Sequence, residues 1–237
     1  MIQFERQQKI VNYLSRTNVA KIAELAKYLY TSEASIRRDI AVLEASGIVT
    51  RVYGGVILSH YQNEVLPAKL RESENSHLKN IVAQKAAELI HDDDTIIFDN
   101  SSTVRALCKH IKNRKNLKII TNNPTICSEL KDTNITVYCT GGEYYKMRDS
   151  FLGPYAESFL RTVNADSLFF SCKGLSDDGV LTDVSELEIS IRNIMMKQAT
   201  KTYLLCDSSK LGTKYTFKLC GADDITEIIC DKEITFQ

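Results

Sequence analysis

The 237-residue sequence has no run approaching the roughly 18 apolar residues of a membrane span, and its opening Met-Ile-Gln-Phe-Glu-Arg is too polar for a secretory signal. No membrane partner is therefore expected. The chain also lacks net charge: 30 basic residues balance 30 acidic ones, so its overall charge says nothing for or against nucleic acid. Its four histidines (60, 77, 91 and 110) lack metal-ligand spacing, and no zinc or other cofactor is expected. No two of the seven cysteines (108, 127, 139, 172, 206, 220 and 230) make a CxxC pair, and their number is odd. Most lie in apolar, strand-like runs where buried thiols are ordinary. A reduced, cytoplasmic protein is expected.

What is present begins with Thr31-Ser-Glu-Ala-Ser-Ile-Arg-Arg-Asp-Ile-Ala-Val-Leu-Glu44. On a helical wheel of about 100° per residue, Ile36, Ile40 and Leu43 fall within about 60° of one another. Opposite them lie Ala34, Arg38, Ala41 and Ala45, small residues around one guanidinium. Such a face suits close approach to the floor of a DNA major groove. Ile22, Leu25, Ala26 and Leu29 recur at helical spacing, so residues 21–30 predict an amphipathic helix, and Thr31 or Ser32 can cap the next one after a short turn. An earlier helix, about Phe4 to Ser15, offers Ile10 and Leu14 to the same core. After Gly47, two β-rich runs meet around Gly54-Gly55, a hairpin signal. Three helices and a hairpin make a winged helix; a plain three-helix domain is the alternative that periodicity leaves open.

Arg6-x3-Ile10-x3-Leu14, Ser35-Ile-Arg-Arg-Asp-Ile40 and Arg51-Val-Tyr-Gly-Gly-Val56 together resemble the DeoR-type helix-turn-helix. The family most often has Thr at the position of Ser35 and His at that of Tyr53. Charge divides in agreement. Residues 1–58 carry eight basic and five acidic side chains, leaving 22 basic and 25 acidic for the rest. A mildly basic head can hold phosphates. Arg38 is expected to read a base edge, most plausibly guanine. Ser32 and Ser35, with Arg51 and Tyr53 of the wing, are further candidate DNA contacts. Arg37 either touches phosphate or pairs with Glu33 or Glu44, and Asp39 is expected to orient an arginine.

Two domains are expected from the length: 1–58, a linker at 59–75 that carries Pro67, and 76–237. The last part alternates apolar strand runs with helical patterns, which predicts an α/β domain with a mostly parallel sheet. Strands are predicted at 95–98, 117–121, 135–140, 167–171, 202–206 and 225–230, with helices near 104–111, after Pro124 and at 186–200. Polar groups cluster after the strands, where such sheets bind ligands. These loops are Asp99-Asn100-Ser101-Ser102-Thr103, Thr121-Asn122-Asn123-Pro124, Thr140-Gly141-Gly142, Cys172-Lys173-Gly174 and Asp207-Ser-Ser-Lys210-Leu-Gly212. The first is either an anion site at a helix start or plain N-capping by Ser102 or Thr103. Together the loops point to a polar, phosphorylated small ligand.

The same loops resemble the DeoR family's effector domain, whose fold is similar to the ribose-phosphate isomerase and CoA-transferase type. Glu188 and Arg192 fall on the family's acidic and basic positions of its long helix; Ser101 replaces a glycine, and Arg192 stands where lysine is common. The resemblance implies a DNA-binding regulator, usually a repressor of a carbohydrate-utilisation operon, that answers to a phosphorylated sugar and works as a dimer or tetramer on operator DNA. The alternative is an enzyme, a sugar-phosphate isomerase fused to a DNA-binding head, with Asp99, Asp207 or Glu188 as the carboxylate base.

Overall fold

Ile10, Val11 and Leu14 give the first helix one apolar face to bury, and α1 runs over Gln3–Thr17. The computed structural model describes residues 2–17, 19–52, 55–58 and 68–236. The chain divides into two compact units, Met1–Glu74 and Asn75–Gln237.

In the first unit, α1 is followed by β1 (Val19–Ala20), α2 (Ile22–Tyr28), α3 (Glu33–Ala45), β2 (Val49–Val52), β3 (Gly55–Leu58) and α4 (Ala68–Ser73). Ile10, Leu14, Leu25, Ile36, Ile40 and Leu43 meet in one core, each contributing about 1.5–3 kcal/mol by leaving water. The cap of α3 is Ser32, whose Oγ accepts from Ser35 N–H at 3.3 Å. Both α2 and α3 end on a left-handed residue that turns the last amides back onto the final carbonyls. For α3 that residue is Gly47 (φ +73), with Ile48 N–H to Leu43 O at 2.9 Å; for α2 it is Tyr30 (φ +50), with Thr31 N–H to Ala26 O at 3.0 Å. The expected hairpin forms, with Val52 opposite Gly55; its turn residues Tyr53 and Gly54 lie outside the described residues. No residue pattern marks β1, which pairs antiparallel with β3. A Cβ on Gly55 would stand 2.7 Å from Ala20 O, so this close pairing requires glycine there. Of the expected linker, 59–67 lie outside the described residues, while α4 is tied to α1 by Ser73 Oγ donating to Gln8 Oε1 at 3.2 Å.

The second unit runs α5 (Ser76–Ala87), β4 (Thr95–Phe98), α6 (Ser102–Arg105), α7 (Cys108–Ile111), β5 (Lys118–Thr121), α8 (Pro124–Leu130), β6 (Thr136–Cys139), β7 (Glu143–Tyr145), β8 (Ser150–Leu152) and α9 (Pro154–Leu160). It continues through β9 (Ala165–Phe170), β10 (Gly174–Leu175), β11 (Val180–Asp183), α10 (Glu186–Gln198), β12 (Ala199–Cys206), β13 (Phe217–Gly221) and β14 (Glu227–Cys230). Six strands form one sheet in the order β14-β12-β9-β4-β5-β6, every pair parallel. Successive residues alternate between two cores. Ile96, Phe98, Ile119, Phe169 and Leu205 face α5–α8, while Ile97, Ile120, Leu168, Phe170 and Leu204 face α9 and α10. Burial on both faces is why these strands read as continuous apolar runs. The chain winds outward from β4 through β5 to β6, and from β9 through β12 to β14. The direction reverses between β4 and β9, and the crevice beyond their C-terminal ends is where such sheets take ligands.

Two predicted helices differ. The span 104–111 is two short helices, because Leu107 N–H bonds Val104 O and His110 N–H bonds Leu107 O (2.8 Å each), an i→i−3 pattern that breaks the α-ladder. The helix predicted to Thr200 ends at Gln198, since Ala199 already pairs with Ala165 in the sheet. The hairpin β7–β8, helix α9 and the antiparallel sheet β10-β11-β13 were not foreseen; their strands, at most five residues long, carry too little pattern.

Candidate functional site

On α3, Ala34, Arg38, Ala41 and Ala45 are all exposed, as the wheel predicts. The arginines of this unit differ in their partners. Arg6 on α1 grips the fully buried Asp39 through Nε to Oδ2 and Nη2 to Oδ1 (3.2 Å), and Gln7 Nε2 adds a 3.5 Å bond. Asp39 thus orients an arginine, as expected. Arg37 Nη2 pairs with Glu33 Oε2 at 3.0 Å, and Arg51 Nε with Glu44 Oε2 at 3.1 Å, leaving Glu44 to the wing rather than to Arg37. Arg38 has no carboxylate among the described residues; its Nε reaches only the Ala34 carbonyl, at 3.4 Å. Ser32 Oγ and Ser35 Oγ lie 3.0 Å apart at the start of α3, both occupied in the cap. Tyr53, the remaining candidate, lies outside the described residues.

In the second unit the loops after β4, β5, β9 and β12 meet. Asp99 is buried; its Oδ1 accepts from Ser101 N–H (2.9 Å), and its Oδ2 from Ser171 N–H (3.1 Å) and Arg192 Nε (3.0 Å). Arg192, also buried, donates Nη1 to Asp183 Oδ2 at 2.7 Å and Nη2 to Glu188 Oε2 at 2.9 Å. Burial works against its charge, but Asp183, Glu188 and Asp99 more than offset that and hold its pKa above the ordinary arginine value. Glu188 Oε1 accepts from Asn100 Nδ2 at 3.0 Å and lies 3.1 Å from Arg148 Nη1. Glu188 and Arg192 are therefore spent on the protein itself and position the first loop. Asn123 Nδ2 reaches Asn100 O at 3.5 Å, linking the second loop to the first.

Lys210 joins the fifth loop to the others. Its Nζ donates to Ser171 Oγ at 2.7 Å and Thr103 Oγ1 at 3.4 Å, and lies 3.7 Å from Asp207 Oδ2. That carboxylate oxygen and Asn122 Oδ1 are buried without a hydrogen bond. The first-loop cap is Ser101, not Ser102 or Thr103: its Oγ accepts from Val104 N–H at 3.1 Å. The amides of half-buried Ser102 and buried Thr103 meet no acceptor among the described residues. The Lys210 ammonium beside the Thr103 hydroxyl, at a helix start with two amides lacking an acceptor, can hold an anion such as a phosphate monoester.

Not every predicted residue joins this cluster. Thr121 Oγ1 closes its own loop by accepting from Asn123 N–H at 3.1 Å. Gly142 (φ +111) packs under α9, where a Cβ would stand 3.2 Å from Ala156 N; Gly141 has open space at the same point. Gly174 admits Thr213, whose Oγ1 would be 2.6 Å from a Cβ, so its need is packing. Lys173 is half-buried beside β11, with its amide on Thr182 O at 3.1 Å. Sequence reasoning missed Asp183, Arg148 and Ser171. Ser171 was within reach, as a polar residue at the end of a predicted strand. Asp183 and Arg148 carried no signal.

Comparison with known proteins agrees across the whole chain. The model described as the DeoR-like helix-turn-helix domain matches residues 6–62, and that of the DeoR C terminal sensor domain matches 74–232. The HTH-type transcriptional regulator GolR of Listeria innocua is 33% identical over 235 residues, covering 99% of this chain and 92% of that protein. The lactose phosphotransferase system repressor of Streptococcus mutans is 30% identical over 231 residues, covering 96% and 91%. Among solved structures, eIF2B delta from Chaetomium thermophilum matches with a TM-score of 0.52 at 15% identity, over 86% of this chain and 65% of that one. Ribose 5-phosphate isomerase A from Methanocaldococcus jannaschii matches with a TM-score of 0.44 at 18% identity, over 58% and 55%.

Proposed function

The chain belongs to the DeoR family, with a helix-turn-helix domain and a sensor domain, and from that premise we propose that it is a repressor of a carbohydrate-utilisation operon, released when a phosphorylated sugar binds the sensor. The observation that carries the DNA-binding half is the contrast among the arginines: Arg6, Arg37 and Arg51 each hold a carboxylate, while Arg38 stands on the flat outer face of α3 without one. Arg38 reads a base edge, guanine O6 and N7, while Ser32, Ser35, Arg37 and the wing's Arg51 and Tyr53 hold the backbone. Two heads per operator are needed, because one module of this size buries too little surface, so the protein acts as a homo-oligomer, a dimer or tetramer.

In the sensor, the phosphate of the effector sits against Lys210, Ser102 and Thr103, with Asn122 and Asp207 toward the sugar. The same geometry argues against two of the three carboxylates named for the isomerase alternative, Asp99 and Glu188, while Asp207 keeps one oxygen without a hydrogen bond. Both oxygens of Asp99 and of Glu188 already accept hydrogen bonds or ion pairs, which leaves neither free to take a proton from carbon. The test pairs two variants in binding to duplexes selected by the wild type from a random pool. Arg38→Ala is expected to lose about 5–150-fold in discrimination against random DNA, equivalent to about 1–3 kcal/mol. Lys210→Ala is expected to bind the selected duplex normally yet stay bound when sugar phosphates are added. Unchanged discrimination in the first, or unchanged release in the second, would refute the corresponding half.

A further inference from the structure

The sensor unit begins on a residue in an unusual conformation. Asn75, the N-cap of α5, takes φ +51 and ψ +34, a left-handed geometry that strains most residues with a Cβ and asparagine less than most. An N-cap asparagine is ordinarily extended and accepts from the helix's first amides, but the Asn75 side chain makes no such bond. Its Nδ2 instead donates to Ser209 Oγ at 2.9 Å, 134 residues further along the chain. Ser209 lies between Asp207 and Lys210 in one tight turn, Ser208–Lys210. That turn is held as a unit. Ser209 Oγ and Ser209 N–H both donate to Asp207 Oδ1, the second at 3.3 Å, and Lys210 N–H donates to Asp207 O at 3.0 Å. On its other side, one residue separates Asn75 from the end of α4, whose Ser73 Oγ donates to Gln8 Oε1 of α1.

We propose that the Asn75–Ser209 bond is the link through which an anion on Lys210 acts on the chain entering the sensor, with Asn75 as the positioning residue of that link. The turn conformation that brings Lys210 Nζ to Ser171 and Thr103 is the one that brings Ser209 to Asn75. An anion that selects the first contact therefore selects the second. Holding the Asn75 side chain holds its backbone left-handed, because an unheld Asn75 relaxes to the extended geometry of an ordinary cap. That rotation redirects the chain at the boundary between the two units. The link rests on the reading of Lys210, Ser102 and Thr103 as the effector's phosphate site, and it names the residues that carry occupation of that site toward the head.

Hydrogen exchange at single-residue resolution tests this on the full-length protein, with inorganic phosphate as the probe against sodium chloride of equal ionic strength. Two sets of amides separate binding from linkage. Those of Ser102 and Thr103, which meet no acceptor among the described residues, report the anion. The Lys79 amide, on Asn75 O at 3.1 Å, reports whether Asn75 stays in place. In the wild type, phosphate is expected to slow both, Lys79 by about two- to tenfold, the span of one net hydrogen bond. Asn75→Gly keeps the left-handed backbone accessible, so it should fold and keep the response at Ser102 and Thr103 while losing that at Lys79. Ser209→Ala should lose the Lys79 response too, and Ser209→Thr, which keeps the hydroxyl, should retain it. A Lys79 amide that ignores phosphate while Ser102 and Thr103 slow, or one that still responds in Asn75→Gly, would overturn the link and leave the anion site standing. Ser102 and Thr103 amides indifferent to phosphate would overturn the anion site, and the link with it.

Discussion

Removing the guanidinium of Arg192 strikes the point where four segments of the sensor meet. Arg192 holds Asp99 at 3.0 Å, Asp183 at 2.7 Å and Glu188 at 2.9 Å, and all four residues are buried. In Arg192→Ala, Asp99 and Asp183 lose their cation and Glu188 keeps only Arg148, 3.1 Å away. Breaking a buried ion pair by deleting one partner costs about 3–5 kcal/mol. Two carboxylates without a cation and a third with one fewer place this variant near the upper end, about 5 kcal/mol, and not beyond it, because taking up protons relieves part of the repulsion. A domain of this size loses about 2–4 °C of melting temperature per kcal/mol, so the drop should be about 10–20 °C. Arg192→Lys keeps the charge, but one ammonium cannot reach three carboxylates in a fork, so it should fall between wild type and Ala. Thermal unfolding followed by calorimetry reads both. A fall of less than about 2 °C for Ala would refute the claim that these carboxylates depend on Arg192. So would a Lys variant as unstable as Ala.

Tyr30 ends α2 in the left-handed region, with its side chain 97% exposed and so without burial to offset the strain. Tyr30→Gly should relieve about 1–2 kcal/mol, lose about 0.5–1 kcal/mol of that to chain entropy, and leave a small net gain in denaturant unfolding; a loss would show that the ring is held by something. Asp231 accepts the Ser208 N–H at 2.6 Å and so anchors the loop that carries Lys210. Burial works to raise its pKa, but the bonds from Ser208 prevail and hold it below the usual carboxylate range. Its contribution is therefore complete above the unfolded carboxylate pKa of about 4 and is lost as pH falls through the lower folded value. Asp231→Asn should flatten that part of the stability profile, and an unchanged acid limb would contradict the assignment.

Much of the first unit was legible because its helices are amphipathic at a regular period and its core residues lie close in sequence. Ile36, Ile40 and Leu43 predicted both the buried stripe and the opposite face with Arg38. The strands of the parallel sheet were legible for a similar reason, as apolar runs buried on both faces. The pairing of charges was not. Asp99 and Arg192 are 93 residues apart, and the i,i+4 spacing of Arg192 and Glu188, the latter expected at the effector, shows one pair but not the three carboxylates gathered on one guanidinium. Arg148 reaches the cluster from the turn of a hairpin whose strands are three residues long, below the length at which alternation can be read.

The central claim is that one molecule couples DNA at α3 to a phosphorylated sugar at the sensor loops. The most direct test is fluorescence anisotropy of the full-length protein on its selected duplex, titrated with a panel of sugar phosphates, together with the reverse titration of effector in the presence and absence of that duplex. At least one sugar phosphate should weaken DNA binding, and the duplex should weaken binding of that sugar phosphate by the same factor, because the coupling free energy is shared. DNA affinity that no sugar phosphate alters, or an effector whose affinity ignores bound DNA, would contradict it.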